Sequence, residues 1–220
     1  MKIEELKQKN QWINWNYKEN TKIPVSAKNQ KTGPNLEYKN TWSDFKQAQE
    51  NKIANGIGLV LTHGICGIDI DKRDLKDPVT QDIFELMDTY TEYSPSGNGF
   101  HILFSVDMEK VPKDIYSKYY QKNPKNHIEC YISGLTNRYF TFTGNAIIDK
   151  PIEERTEQLL TFLEKYMLRK NPVIQSNNVD LEEISKDIIE IINSSRQAEK
   201  FQKLYLYGDT SEYSNDDSSA

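Results

Sequence analysis

Gly58-Leu-Val-Leu-Thr-His-Gly-Ile-Cys-Gly-Ile-Asp-Ile-Asp71 decides how the rest of the chain is read. Two short apolar runs flank the breaker Thr62-His63-Gly64, so the stretch is expected to form two strands joined by a hairpin-like turn with His63 at its tip. Side chains alternate across a strand, which puts Asp69 and Asp71 on one face and Ile68 and Ile70 on the other. Along the strand the two carboxylates then stand roughly 6–7 Å apart. Like charges that close are unfavourable without a cation or a basic group between them. The pair is therefore read as a seat for a divalent metal.

Downstream, Thr91-Glu92-Tyr93 leads into the turn Ser94-Pro95-Ser96-Gly97-Asn98-Gly99 and then an alternating strand, Phe100 to Val106, in which His101, Leu103 and Ser105 share a face. His127 to Ile132 is a further strand, with Ile128, Cys130 and Ile132 on one side and His127, Glu129 and Tyr131 on the other. Residues 133–137 turn the chain into Arg138-Tyr-Phe-Thr-Phe-Thr-Gly144. The hydroxyls of Ser94 and Ser96, with backbone N–H groups that Gly97 and Gly99 leave open to close approach, suit a polyphosphate. His101 and Arg138 add donors for the same anion. Each piece also has a plain use, as a chance acidic pair, an ordinary turn or a hydrogen-bonded structural histidine. Together, Asp69, Asp71 and Glu129 form an all-oxygen donor set that favours Mg²⁺ or Mn²⁺ over zinc. Such a clamp suits two-metal nucleotidyl transfer, in which one ion activates the attacking hydroxyl and the other stabilises the leaving pyrophosphate.

Upstream, Trp12 to Tyr17 reads as a strand with large side chains on both faces. Residues 22–34, with Lys22, Lys28, Lys31 and two prolines, read as an exposed basic loop that is either a solvated turn or a phosphate contact. A helix is expected over residues 41–48, capped by Thr41 or Ser43 and burying Trp42, Phe45 and Ala48 on one face. Pro78 and Thr80 open another helix, running to Asp88, and the nearby Asp74 and Asp77 are minor candidates for a metal. Residues 107–126 interleave five lysines with Tyr116, Tyr119 and Tyr120, which fits either stacking on a single-stranded template or a surface insertion. Cys66 and Cys130 are read as small buried hydrophobes. Helical spacing marks residues 153–170, about 180–192 and about 198–207, and the acidic, Ser-rich end from Ser211 is expected to be disordered alone.

The 220 residues carry a net charge of -5, which looks wrong for a nucleic-acid binder until it is divided. Residues 171–220 hold ten acidic and four basic side chains, which leaves +1 on residues 1–170. Phosphate-binding surface is thus permitted in the first 170 residues, read as the catalytic domain, while 171–220 read as a helical appendage. Neither a membrane span nor an apolar signal core is expected, and two cysteines make no disulfide framework, so the location is expected to be cytoplasmic.

Three segments in order, Gly-Ile-Asp-Ile-Asp (67–71), Tyr-Thr-Glu-Tyr-Ser-Pro-Ser-Gly-Asn-Gly-Phe-His (90–101), and Ile-Glu-Cys-Tyr (128–131) followed by Arg-Tyr-Phe-Thr-Phe-Thr-Gly (138–144), resemble the motifs of the archaeo-eukaryotic primase superfamily. The likeness is to the primase-polymerase domains of phages, plasmids and other mobile elements. It extends to Lys22/Pro24, Trp42 and Gly56 to Val60, and covers about residues 10–145. The resemblance implies an α+β catalytic core, an RRM-like mixed or antiparallel sheet with flanking helices, followed by a small C-terminal helical region. It implies Asp69, Asp71 and Glu129 as metal ligands and Ser96 and His101 as nucleotide contacts. The implied partners are a single-stranded DNA template, dNTP or NTP, and a helicase module fused or in trans. The chain then reads as a fragment of a longer replication protein.

Two other readings stay open. A metal-dependent nuclease or rolling-circle initiator shares a small sheet, but usually wants paired histidines beside a nucleophilic tyrosine, and His101 has no His partner two residues away. A catalytically silent module that binds single-stranded DNA needs no nucleotide affinity at all.

Overall fold

A computed structural model describes residues 1–19 and 21–170, and the helices and tail expected beyond residue 170 lie outside the described residues. In chain order the elements are α1 (Ile3–Lys7), β1 (Trp12–Lys18), β2 (Thr21–Val25), a 3₁₀ turn (Leu36–Thr41), α2 (Phe45–Glu50), β3 (Gly56–Val60), β4 (Ile65–Asp71), α3 (Pro78–Met87), β5 (Thr91–Tyr93) and β6 (Gly99–Ser105). There follow α4 (Ile115–Lys118), β7 (Lys122–Asn123), β8 (Ile128–Tyr131), β9 (Tyr139–Phe142), β10 (Ala146–Ile148) and α5 (Thr156–Phe162), which runs into a π-helical turn, Leu163–Met167. The described residues are an α+β fold in which the strands pair antiparallel.

The strands divide into two sheets, one of order β2-β1-β3-β9 and one of order β10-β5-β6-β4-β8-β7. This corrects the expected hairpin at Thr62 to Gly64. β3 pairs with β1 and β9, whereas β4 pairs with β6 and β8, so the turn carries the chain from one sheet to the other. The two apolar runs are each buried by other partners, and adjacency in sequence does not decide which. A second correction concerns residues 22–25, read as loop, which form the edge strand β2 against β1. Pro24 is tolerated there because an edge strand need not donate every N–H.

Alternation along β4 sorts the core into two. Cys66, Ile68 and Ile70 pack with Ile83, Phe84 and Met87 of α3 and with Leu159 and Phe162 of α5. Ile65, on the opposite face, packs with Trp12, Leu59 and Phe140 of the four-stranded sheet. The larger sheet is therefore covered by helices on one face and by the smaller sheet on the other. Gly67 makes the second contact close enough, since a Cβ there would stand 2.4 Å from the Phe140 ring. Both cysteines are buried and free, as read, and burial pushes the Cys66 thiol up to about 12.

Local signals were partly misassigned. The cap of α2 is Asp44, whose carboxylate accepts from the Gln47 N–H, rather than Thr41 or Ser43. Trp42 lies outside the helix and packs with Ile13 and Val60, apart from the cluster that takes Ala48 and Phe45. Asp77 caps α3 by accepting from Val79 and Thr80 N–H and also pairs with Arg73, so its carboxylate is committed to structure. Among the tyrosines of residues 107–126, Tyr116 donates to Cys130 O and Tyr119 is buried, which removes both from a free stacking surface.

Candidate active site

Antiparallel register builds the site. Glu92 on β5 lies opposite His101 on β6, His101 opposite Asp69 on β4, Asp69 opposite Glu129 on β8, and Glu129 opposite Lys122 on β7. Directly paired residues point to the same side of a sheet, so these five side chains form one row across five strands. One step further along, the Ser94 N–H donates to Gly99 O and the Asp71 N–H to His127 O, which places Ser94, Gly99 and Asp71 in the next row on the same face. The rows are roughly 7 Å apart along the strands.

At the centre, Asp69 Oδ1 is buried and accepts no hydrogen bond. The nearest cation-forming group is His101, with Nε2 3.8 Å from that oxygen. Burial raises the Asp69 carboxyl to about 6, the His101 and Lys22 charges pull it down, and the Asp71 and Glu129 carboxylates push it up. A buried acceptor without a donor is costly, because it forfeits water and gains nothing in return. The arrangement is short of positive charge at one atom.

Glu129 meets that shortage differently. Lys122 Nζ sits 2.7 Å from both of its carboxylate oxygens, and the Tyr131 hydroxyl donates to Oε2. Asp71 is exposed at the open end of the face. With Glu129 held by Lys122, no group of three His, Cys, Asp or Glu side chains among the described residues is gathered to hold a metal ion. The orphaned Asp69 Oδ1 and the nearby carboxylates are of the kind that suits a hard divalent cation, and Glu129 would be available to one only without its Lys122 contact.

The cleft between the two sheets has a volume of about 230 Å³ and is lined by Lys22, Asp69, His101, Tyr131, Arg138 and residues 139–141. Arg138 lies over the Tyr131 ring, 5.3 Å from its centroid, and Lys22 lies over Trp15. One lysine and one arginine thus line the same cleft as the Asp69 carboxylate, which suits an anion held beside it. His101 tilts against the Phe140 ring at 4.8 Å between centroids.

The Ser94 to Gly99 turn is closed by a Gly97 N–H to Ser94 O bond, with the Ser94 and Ser96 hydroxyls 3.1 Å apart. Gly97 sits in the left-handed region at φ 73° with open space where a side chain would stand. Gly99 is required by contact, since a Cβ there would stand 2.4 Å from Ile70 O. Gly97 lines a separate depression of about 590 Å³ with Lys72, Arg73 and Asn98. Register therefore brings together Asp69, His101 and Glu129, and Arg138 joins Asp69 and His101 in the cleft. Ser94, Ser96 and Gly97 stand beside it, at the Asp71 end.

Lys22 was read as either a solvated turn residue or a phosphate contact, Lys122 only as one of five lysines in residues 107–126 and Tyr131 only as a neighbour of Glu129, while Glu92 was given no role. Glu92 sat inside the quoted motif Tyr-Thr-Glu-Tyr-Ser, and its parity with Ser94 was a usable signal. Lys122 gave none, because β7 is only two residues long.

No family model matches the chain. The chain is 31% identical over 186 residues, 79% of its length, to the DNA Primase-polymerase of Nitratiruptor phage NrS-1. It spans about a quarter (25%) of that relative.

Proposed function

The chain carries a primase-polymerase domain, and on that premise we propose that it joins nucleotides on a single-stranded DNA template by metal-dependent nucleotidyl transfer. The observation that carries the reading is the row His101–Asp69–Glu129 on three adjacent strands, with Lys22 and Arg138 across the cleft. Asp69, Asp71 and Glu129 would hold Mg²⁺ or Mn²⁺. When bound, such ions activate the attacking hydroxyl and neutralise the leaving pyrophosphate. Lys22, Arg138 and His101 would bind the triphosphate and fix its direction, and the Ser94 to Gly99 turn would close the Asp71 end.

Synthesis on single-stranded templates tests this, with and without primer, using ribo- and deoxynucleotides in turn and either Mg²⁺ or Mn²⁺. Template-dependent product that disappears with chelator is the expected result. Cleavage of the template in Mn²⁺ without nucleotides would favour a nuclease. Template binding without cation-dependent nucleotide affinity, measured by calorimetry, would favour a silent module.

The pairing of Lys122 with Glu129 gives a further expectation. The lysine is half exposed, and such pairs contribute about 1 kcal/mol or less. Lys122→Ala is therefore expected to tighten Mn²⁺ binding by up to about fivefold, read by calorimetry, because the cation no longer competes with an ammonium. Weaker Mn²⁺ binding in the variant would assign Lys122 a supporting role instead.

A further inference from the structure

Glu92 is the one carboxylate of the row that the proposed chemistry leaves unused. Its carboxylate is 1% exposed, and no lysine or arginine among the described residues pairs with it. Every acceptor position is nonetheless filled. Oε1 accepts from the Thr143 N–H at 3.0 Å and faces His101 Nδ1 at 3.4 Å. Oε2 accepts from the Gly144 N–H at 2.8 Å and from the Tyr90 hydroxyl at 3.1 Å. Two of the three donors other than His101 are backbone amides of the turn between β9 and β10, so the carboxylate's position is set by the main chain.

We infer that Glu92 is a positioning residue for His101, holding the imidazole by its Nδ1–H and turned inward so that Nε2 is presented to the cleft beside Asp69, where it donates to an anion when the ring is the imidazolium. Both Glu92 oxygens already serve as acceptors for the Thr143 and Gly144 amides and the Tyr90 hydroxyl, so the proton of the shared contact belongs to Nδ1. Imidazoles that act at one nitrogen are regularly oriented through the other, and loss of such a partner typically costs 10–100-fold in affinity or activity. Phe140 packs against the ring, which leaves Glu92 to fix its rotation. The sheet register supplies the same conclusion from the backbone, since Glu92 and His101 are directly opposed. This inference rests on the nucleotidyl-transfer reading for its kinetic consequence, but its structural content does not.

The test is nitrogen NMR of the three imidazoles at about pH 8, above the ordinary imidazole range, with the His101 signal identified by its absence in His101→Ala. Wild-type protein is expected to carry the proton on Nδ1. A bare Nδ1 overturns the inference, whether or not the chain polymerises and whether or not any Glu92 variant folds. The kinetic arm uses Glu92→Gln, whose side-chain amide keeps the shape but offers one acceptor where two are needed. It is expected to raise KM for nucleotide or lower kcat by about 10–100-fold while divalent-cation affinity changes little. In the His101→Ala background the same change is expected to add less than about twofold, since both residues act through one ring. Equal losses in both backgrounds would make Glu92 merely structural. Absence of synthesis in wild type with Nδ1 protonated would overturn the polymerase reading and leave the positioning of His101 standing.

Discussion

Asp69→Asn is expected to abolish synthesis and, in the same protein, to raise its thermal stability. Removing the central carboxylate takes away Oδ1, which no donor among the described residues satisfies, and a loss of about 1000-fold or more corresponds to about 4 kcal/mol of barrier. Stability moves the other way for a reason with a definite pH signature. Burial raises the carboxyl from 3.8 to about 6, so the folded chain holds this proton more tightly than the unfolded chain does. The folded state is therefore favoured by protonation below about pH 4, and that advantage is lost as pH rises through about 6. Tenfold in proton affinity is about 1.4 kcal/mol, and the side chain is 22% exposed, so ionised Asp69 costs on the order of 2 kcal/mol at neutral pH. Calorimetric scans in chelator should show Asp69→Asn melting about 5 °C above wild type at about pH 7.5, with the gap closing below about pH 4. A variant less stable than wild type at neutral pH would contradict the account of Asp69 as an unmet charge. Retained synthesis would remove it from the chemistry.

Gly99→Ala is expected to damage fold and activity together. A methyl group at that position would stand 2.4 Å from Ile70 O and 3.2 Å from an Asp71 carboxylate oxygen, and the first of these is backbone that cannot step aside. β6 must then separate from β4, which carries His101 away from Asp69. Overpacking of this kind costs about 3 kcal/mol, or about 10 °C in Tm for a chain of this size. Gly97→Ala is the control. Its cost is only the left-handed backbone, about 1–2 kcal/mol, because nothing lies within 4 Å of the new methyl group. Equal melting temperatures for Gly99→Ala and wild type would show that the strands have room to spare.

The contrast between those two glycines is also a measure of what the sequence discloses. Period-two alternation in residues 65–71, 100–105 and 128–132 was legible, and with it the faces of Asp69, His101 and Glu129. The pairing that makes those faces one row was not local and could be reached only through family resemblance. Sheet membership was illegible for the same reason. Residues 57–60 and 65–70 look like one hairpin because a turn of three polar or small residues separates them, yet burial by β1 and β9 competes with burial by β6 and β8. Pro24 disguised an edge strand as loop. Asp44 outcompeted Thr41 and Ser43 as a cap because the chain up to Trp42 is taken by a 3₁₀ turn and by Trp42 packing away from the helix. Lys22 and Glu92 were hidden because their meaning depends on a partner more than nine residues away, Asp69 for one and the Thr143–Gly144 amides for the other.

The row across the larger sheet has a consequence for how activity is acquired during synthesis of the chain. The proposed cation ligands and His101 come from three strands, Asp69 and Asp71 from β4, His101 from β6 and Glu129 from β8, which arrive in that order, with β9 needed to bring Phe140 onto Gly67. A nascent chain that has emerged only as far as β6 has Asp69 and His101 but lacks β8, which carries Glu129, and β9, the strand of the smaller sheet that lines the cleft. Competence is thus switched on by the last quarter of the domain, and a slip of one residue in any pairing would turn the charged row toward the helices. On the proposed reading, nucleotide incorporation would serve as an assay for correct strand registration.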